Sequence, residues 1–138
     1  MFFNKKIADK DESSYFVKIG ALLIHAAKID ENYSNDEEEI IKKTLLELGA
    51  NKNELNTLMI NAKKNEEKAN QILDFTREIK NMSENDKIKI VKSLWRIIYS
   101  NKDADMYETN LMRRLSGLLY IDSKTMGYIK EQIKKENL

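Results

Sequence analysis

The sequence contains no proline and only four glycines in 138 residues, so almost nothing in it breaks a helix. Proline interrupts helices, and both residue types supply the tight turns that sandwiches and barrels need. Apolar residues recur every three to four positions along most of the chain, as they do from Tyr15 to Ala27. These features predict an all-α fold, with about seven helices in one compact bundle.

Periodicity and capping residues set the expected helix limits. Ser34 and Glu37 have the spacing of a capping box, and Gly49 is a typical C-terminal stop. The helices are expected at about 11–28, 35–48, 51 onward, 65–80, 84 onward, 105 onward and 122 or 123 onward. No linker divides residues 1–138, which therefore form a single expected domain.

An internal repeat is visible at a spacing of 71 positions, where Ile19 falls on Ile90 and Leu23 on Leu94. The shift lays 11–48 over 82–119. Because polar loop residues also match, we interpret the chain as two helix–acidic loop–helix units. The third and fourth helices are expected to lie between these units.

Composition excludes several classes of function. The absence of cysteine and the single histidine, His25, exclude cysteine-ligated metals, cysteine nucleophiles and two-histidine metal sites. A net charge of +1 gives no general attraction to nucleic acid. No apolar run approaches the roughly 20 residues of a membrane span, and no signal peptide is visible. We therefore expect a cytoplasmic protein without nucleic-acid binding.

Two acidic loops are the candidate sites, and two interpretations of them remain open. Hard cations such as calcium, magnesium or manganese bind several oxygen ligands. The residues that would supply these ligands are Asp30, Asn32, Asp36, Glu37, Asp105 and Glu108. The loops lack the glycine and final glutamate of an EF-hand. The alternative interpretation is that Ser34-x-x-Glu37 and Asp105-x-x-Glu108 are helix caps.

The remaining polar and aromatic features have simpler structural interpretations. His25 is expected at a core or rim position, and Trp95, Tyr99 and Tyr107 are expected in the core. Arg113 and Arg114 are expected on a solvated face. There is no glycine-rich phosphate loop and no nucleophile–base pair, so we expect no enzymatic activity. An enzyme that uses paired carboxylates, such as Glu37 with Glu108, is the third and weakest alternative.

The loops and their helices resemble the tellurite-resistance protein B (TerB)-like family over about residues 11–133. Ala27, Asp30 and Glu37 fit its signature A-x-A-D-G-x-x-x-x-x-E, although Glu31 replaces the glycine. The stretch from Leu94-Trp95 through Glu108 to Arg113 resembles its second signature, L-W-x-x-A-x-A-D-G-x-x-x-x-x-E-x-x-L-x-R.

The resemblance implies an all-α fold of two similar four-helix-like halves that share a core, in proteins associated with tellurite and chemical stress. It implies a binding or scaffolding role with a protein partner, no required cofactor and a possible divalent cation. It indicates no particular oligomeric state. Family acids fall on Asp30 and Glu37, and on Asp105 and Glu108. Because Lys102 stands where the second signature has glycine, any cation is expected in the first loop, or shared between Asp30, Glu37 and Glu108.

Overall fold

The computed structural model describes residues 2–28, 34–69, 72–100 and 106–136, with side chains for 15–28, 34–69, 72–100 and 110–136. The described residues form seven α-helices, one short 3-10 helix and no strand, which confirms the all-α prediction. The elements are α1 (Phe2–Ala27), α2 (Asn35–Glu47), the 3-10 helix (Lys52–Glu54), α3 (Leu55–Lys68), α4 (Leu73–Ile79), α5 (Glu84–Ser100), α6 (Met106–Leu118) and α7 (Ser123–Glu136).

Helix α1 is the centre of the bundle, because α2, α3, α4 and α5 all pack against it. Every residue from Ile19 to Ile24 is buried, on all sides of the helix. A helix that is apolar all round is stable only when its neighbours cover it. Burying one Leu or Ile side chain contributes about 1.5–3 kcal/mol, so this segment alone supplies a large part of the driving force for folding.

Helix α5 occupies the corresponding place in the second half of the chain. It packs against α1, α2 and α7, and Ile90 and Leu94 are fully buried, as are Ile19 and Leu23 at the matching positions. The two halves therefore share one core. A buried hydrogen bond joins Thr44 Oγ1 of α2 to Ser93 Oγ of α5 at 2.7 Å and satisfies both hydroxyls inside that core.

The 71-residue repeat is confirmed in the backbone. Helices α2 and α6 have the same length and begin and end at matching positions. Both end in the same hydrogen-bonded turn, which is typical of a Schellman motif. The Ala50 N–H donates to the Leu45 carbonyl at 2.9 Å, and the Ile121 N–H donates to the Ser116 carbonyl at the same distance.

The repeat extends further than the sequence predicted, because α3 and α7 also correspond. Side-chain oxygens cap both segments: Asn51 Oδ1 accepts from the Asn53 N–H at 2.9 Å, and Asp122 Oδ1 accepts from the Lys124 N–H at 3.2 Å. The next apolar positions of both helices, Leu55 with Met126 and Leu58 with Ile129, are buried. Each unit thus has three α-helices rather than the four of the expected four-helix-like halves, and only α4 lies between the units.

Two predicted helix limits were wrong. Helix α1 begins at Phe2 rather than near residue 11, because no proline or glycine interrupts the helix before Gly20. Asn65 belongs to α3 rather than to the start of α4. Its side-chain oxygen accepts a hydrogen bond from Lys18 Nζ of α1 at 3.3 Å, so a contact between helices supports this last turn of α3.

The contact between α1 and α3 depends on a glycine, which generates the first testable prediction. A Cβ on Gly20 would lie 2.9 Å from Ala62 Cβ, whereas a Cβ on Gly127 of α7 would meet nothing within 4 Å. Gly20→Ala should lower the free energy of unfolding by about 1–2 kcal/mol through overpacking. Gly127→Ala should raise it by about 0.5–1 kcal/mol through helix propensity.

Urea unfolding of both variants measures this difference. Both substitutions replace a glycine within a helix by alanine, so the gain in helix propensity is the same. Only the space around the new Cβ atom differs. Stabilisation by both substitutions would contradict a close approach of α1 and α3 at Gly20.

Candidate functional site

The beginning of α2 carries the described part of the first acidic loop. The Ser34 N–H donates to Glu37 Oε1 at 2.9 Å, and the Glu37 N–H donates to Ser34 Oγ at 3.2 Å. Both bonds of the predicted capping box are therefore present. Glu37 is fully buried, so this candidate metal ligand also fixes the start of the helix.

The neighbouring carboxylates of α2 differ from Glu37 in exposure. Asp36 is exposed. The side chain of Glu39 is 75% exposed and lies 3.8 Å from Lys42 Nζ of the same helix. Glu38 pairs with Lys63 Nζ of α3 at 2.8 Å. The run 36–39 therefore has two carboxylates held by the fold and two that face solvent.

Four of the six predicted cation ligands have side chains outside the described residues. Asp30, Asn32 and Asp105 lie outside the described residues, and the side chain of Glu108 in α6 lies outside them too. Of the six candidates, the structure locates the side chains of Asp36 and Glu37. Among described residues, no group of three or more His, Asp or Glu side chains is arranged to hold a metal ion. The cation site stays a prediction.

Ion pairs connect the ends of α1 and α2 to α3. Lys28 Nζ of α1 lies 3.0 Å from Glu66 Oε2, and His25 Nδ1 lies 3.5 Å from Glu66 Oε1. Together with the pair between Lys63 and Glu38, these contacts hold the C-terminal end of α1 and the N-terminal end of α2 beside the second half of α3. We call Ser34–Glu39, with the side chains of His25, Lys28, Lys63 and Glu66, the acidic end.

The contributions of Lys63 and Glu66 were not predicted from the sequence, because both residues lie on α3, far from either loop along the chain. Their signal is only a helical spacing of three, which many exposed charged residues share. His25 is at the edge of the core, as predicted. It is half-buried, and its ring lies 6.0 Å from the ring of Phe75 in α4.

Of the three aromatic residues predicted in the core, Trp95 is buried and Tyr99 is partly buried against it, and the Tyr107 side chain lies outside the described residues. The Trp95 ring stacks on Tyr99 with 5.9 Å between centroids. Lys130 Nζ of α7 lies 5.5 Å from the Trp95 ring, within cation–π range. Burial raises the pKa of Tyr99, and the negative charge of Glu131 raises it further.

The arginines Arg96, Arg113 and Arg114 lie on α5 and α6, outside the acidic end. Arg96 of α5 makes two hydrogen bonds to Glu136 of α7, at 3.1 and 3.2 Å. The hydrogen bond from Arg96 lowers the pKa of Glu136 below its usual value. Arg113 and Arg114 are exposed, as predicted.

None of the described helices is long and apolar enough to cross a membrane.

The fold and its caps define a class: an all-α domain of two equivalent three-helix units with an acidic loop in the first unit. The family model of tellurite resistance protein TerB matches residues 17–131. No curated protein and no solved structure matches the chain. Since the family model covers most of the sequence, the chain belongs to the TerB family. This confirms the resemblance and identifies a helical domain related to tellurite resistance.

The capping box generates the second prediction. Ser34→Ala removes the acceptor for the Glu37 N–H and should lower the free energy of unfolding by about 1 kcal/mol. Ser116→Ala is the matched control, because among the described residues the Ser116 hydroxyl donates to the Arg113 carbonyl of its own helix and caps no helix start. It should change stability by less than about 0.5 kcal/mol. Thermal unfolding followed by circular dichroism measures both, and equal losses would contradict a capping role for Ser34.

Proposed function

We propose that this TerB-family chain is a non-enzymatic binding domain in a system related to tellurite or chemical stress. In this proposal it binds a protein partner through the acidic end. The observation that carries the proposal is the division of roles within 36–39. Glu37 and Glu38 fix the start of α2 to the fold, and Asp36 and Glu39 are left facing solvent. Carboxylates on a fixed helix start lose little freedom on binding, which favours recognition of a basic partner surface.

The position of Glu37 also supports a non-catalytic role. A general acid or base must reach its substrate, whereas Glu37 is fully buried and accepts a hydrogen bond from the Ser34 backbone. A paired-carboxylate enzyme would use Glu37 together with Glu108. The burial and the hydrogen bond of Glu37 favour a structural role for this residue instead. We therefore propose a domain whose function is association rather than chemistry.

Binding of a divalent cation is the second candidate function. Asp36 is exposed at the start of α2, directly after the segment that contains Asp30 and Asn32. The nearby lysines Lys28 and Lys63 are paired with Glu66 and Glu38, so their charges are partly neutralised. A calcium, magnesium or manganese ion would bind oxygen atoms of the first loop, with Asp36 at its edge.

The docking proposal is tested by reversing the two exposed charges. The double variant Asp36→Lys with Glu39→Lys should lower the yield of the co-purified native partner at least about tenfold, because its basic surface would meet positive charge. The control, Glu47→Lys with Glu67→Lys, changes the net charge equally at exposed positions of α2 and α3. It should retain the partner. The partner is identified by mass spectrometry, and its affinity is then measured with purified proteins.

Equal loss in both double variants would mean that net charge alone governs the association, which would contradict the proposed site. Retention of the partner by both variants would contradict it as well.

The cation candidate is tested by titrating calcium, magnesium and manganese separately. Calcium and magnesium are followed by amide NMR, and all three by thermal unfolding. Binding predicts shifts in 30–37 and a midpoint that rises with cation and falls with chelator, because a ligand stabilises the state that binds it. Unshifted peaks at millimolar ion, with an unchanged midpoint, would exclude this candidate.

A further inference from the structure

A tyrosine stands where the repeat calls for glycine. Tyr120 follows α6, and its counterpart Gly49 follows α2. The Gly49 N–H donates to the Leu46 carbonyl at 3.1 Å, and the Tyr120 N–H donates to the Gly117 carbonyl at 3.3 Å. Both residues have positive φ, +110° for Gly49 and +57° for Tyr120. This region of φ suits glycine and costs free energy for a residue with a Cβ.

Burial does not compensate for that cost. Tyr120 is 68% exposed, so its ring gains little from the hydrophobic effect. A helix terminates in the same geometry with Gly49 in the first unit, so the turn itself needs no side chain. A bulky aromatic residue in a strained and exposed position is typical of a residue kept for recognition rather than for stability.

Two lysines from other elements meet this ring. Lys80 follows α4 and Lys87 belongs to α5, and the Nζ of each lies 5.9 Å from the centre of the Tyr120 ring. Lys87 is only 6% exposed, and among the described residues no carboxylate pairs with it or with Lys80. The ring and two ammonium groups therefore form a small, positively charged aromatic patch.

Glu78, Glu84 and Asp86 lie close to the two lysines in sequence, but in the described part of the chain none of them forms an ion pair with Lys80 or Lys87. Asp86 lies 3.9 Å from Lys89 Nζ on α5, and Asp122 caps α7 through the Lys124 N–H. The positive charge of Lys80 and Lys87 is thus not cancelled by an ion pair. An incoming carboxylate would meet the half-buried Lys80 directly and be attracted by the charge of the largely buried Lys87, and an apolar stem beside it would contact the exposed part of the Tyr120 ring.

We propose that Tyr120, Lys80 and Lys87 form a docking site for an acidic segment of a partner protein, which we call the Tyr120 site. A peptide fits better than a nucleic acid, because the chain as a whole has a net charge of only +1 and lacks the field that a polyanion would need. This site involves none of the residues of the acidic end, so the two proposals stand or fall separately.

The probe is a fluorescently labelled hexaglutamate peptide, titrated with the full chain and followed by anisotropy and by amide NMR. We expect binding that weakens as salt is added, with shifts concentrated at residues 80, 87 and 120. A hexalysine peptide should not bind. Inorganic phosphate should bind more weakly than the peptide, since it meets the charges but not the ring.

Tyr120→Gly restores the residue of the first unit and is the deciding variant. It should leave the midpoint of thermal unfolding unchanged or raise it, and it should weaken peptide binding at least about fivefold. Lys87→Met keeps an apolar stem of similar length and should weaken binding by a similar factor. Tyr128→Ala is the control, because Tyr128 is equally exposed, at 66%, on α7, and it should bind within about twofold of the native chain.

Three results would each overturn the proposal. The first is unchanged peptide affinity in Tyr120→Gly. The second is a marked fall in the unfolding midpoint of that variant, which would show that the tyrosine serves stability. The third is tighter binding of an oligodeoxythymidine strand than of the peptide at the same residues, which would assign the site to nucleic acid.

Discussion

The structure depends on the burial of α1. Its segment Ile19–Ile24 is enclosed on every side, so it cannot be stable until α3 and α4, α2 and α5 have packed around it. That requirement joins the two units, since α5 of the second unit covers α1 of the first. The polar contacts at the acidic end follow from the same arrangement. Lys28 reaches Glu66, and Lys63 reaches Glu38, because the core already holds the three helices side by side.

The helices of the two units match, but some side chains that differ between the units change the packing or the exposed surface. Gly20 lets α1 approach Ala62 closely, whereas the corresponding residue of α5 is the buried Val91, which needs more space. At the helix ends, Gly49 and Tyr120 occupy the same turn with positive φ, which costs free energy only for the tyrosine, and Tyr120 presents an aromatic ring to solvent. An ancestral unit that was duplicated would need the shared caps for folding, and the differing positions are where the halves are free to specialise. The proposed Tyr120 site is of this kind, since Gly49 stands at the position of Tyr120. The acidic end is too, since in the sequence Tyr107 and Asn110 stand at the positions of the exposed Asp36 and Glu39.

Much of this fold could be predicted from the sequence, because periodicity and caps are local signals. The number of helices, the capping box of Ser34 with Glu37 and the burial of Leu94 follow from neighbours within a few residues. Ile40 and Leu111, which periodicity places inward, are half-buried at matching positions. The break between α3 and α4 was misplaced because it depends on a contact between helices, from Lys18 to Asn65. The roles of Lys63, Glu66 and Tyr120 depend equally on distant parts of the chain. Tyrosine itself does not predict a positive φ, since glycine or asparagine is the residue that does, and the signal in the sequence is the 71-residue shift that aligns Tyr120 with Gly49.

Native-state hydrogen exchange tests the shared core most directly. The slowest amides of α1, around Leu23, and of α5, around Leu94, should exchange with the same free energy of opening, and that value should equal the free energy of global unfolding from urea. If both units depend on the same core, no partly unfolded state keeps α1 or α5 folded without the other. A lower opening free energy for one of the two helices, with the other still protected, would show two independent cores and contradict this account.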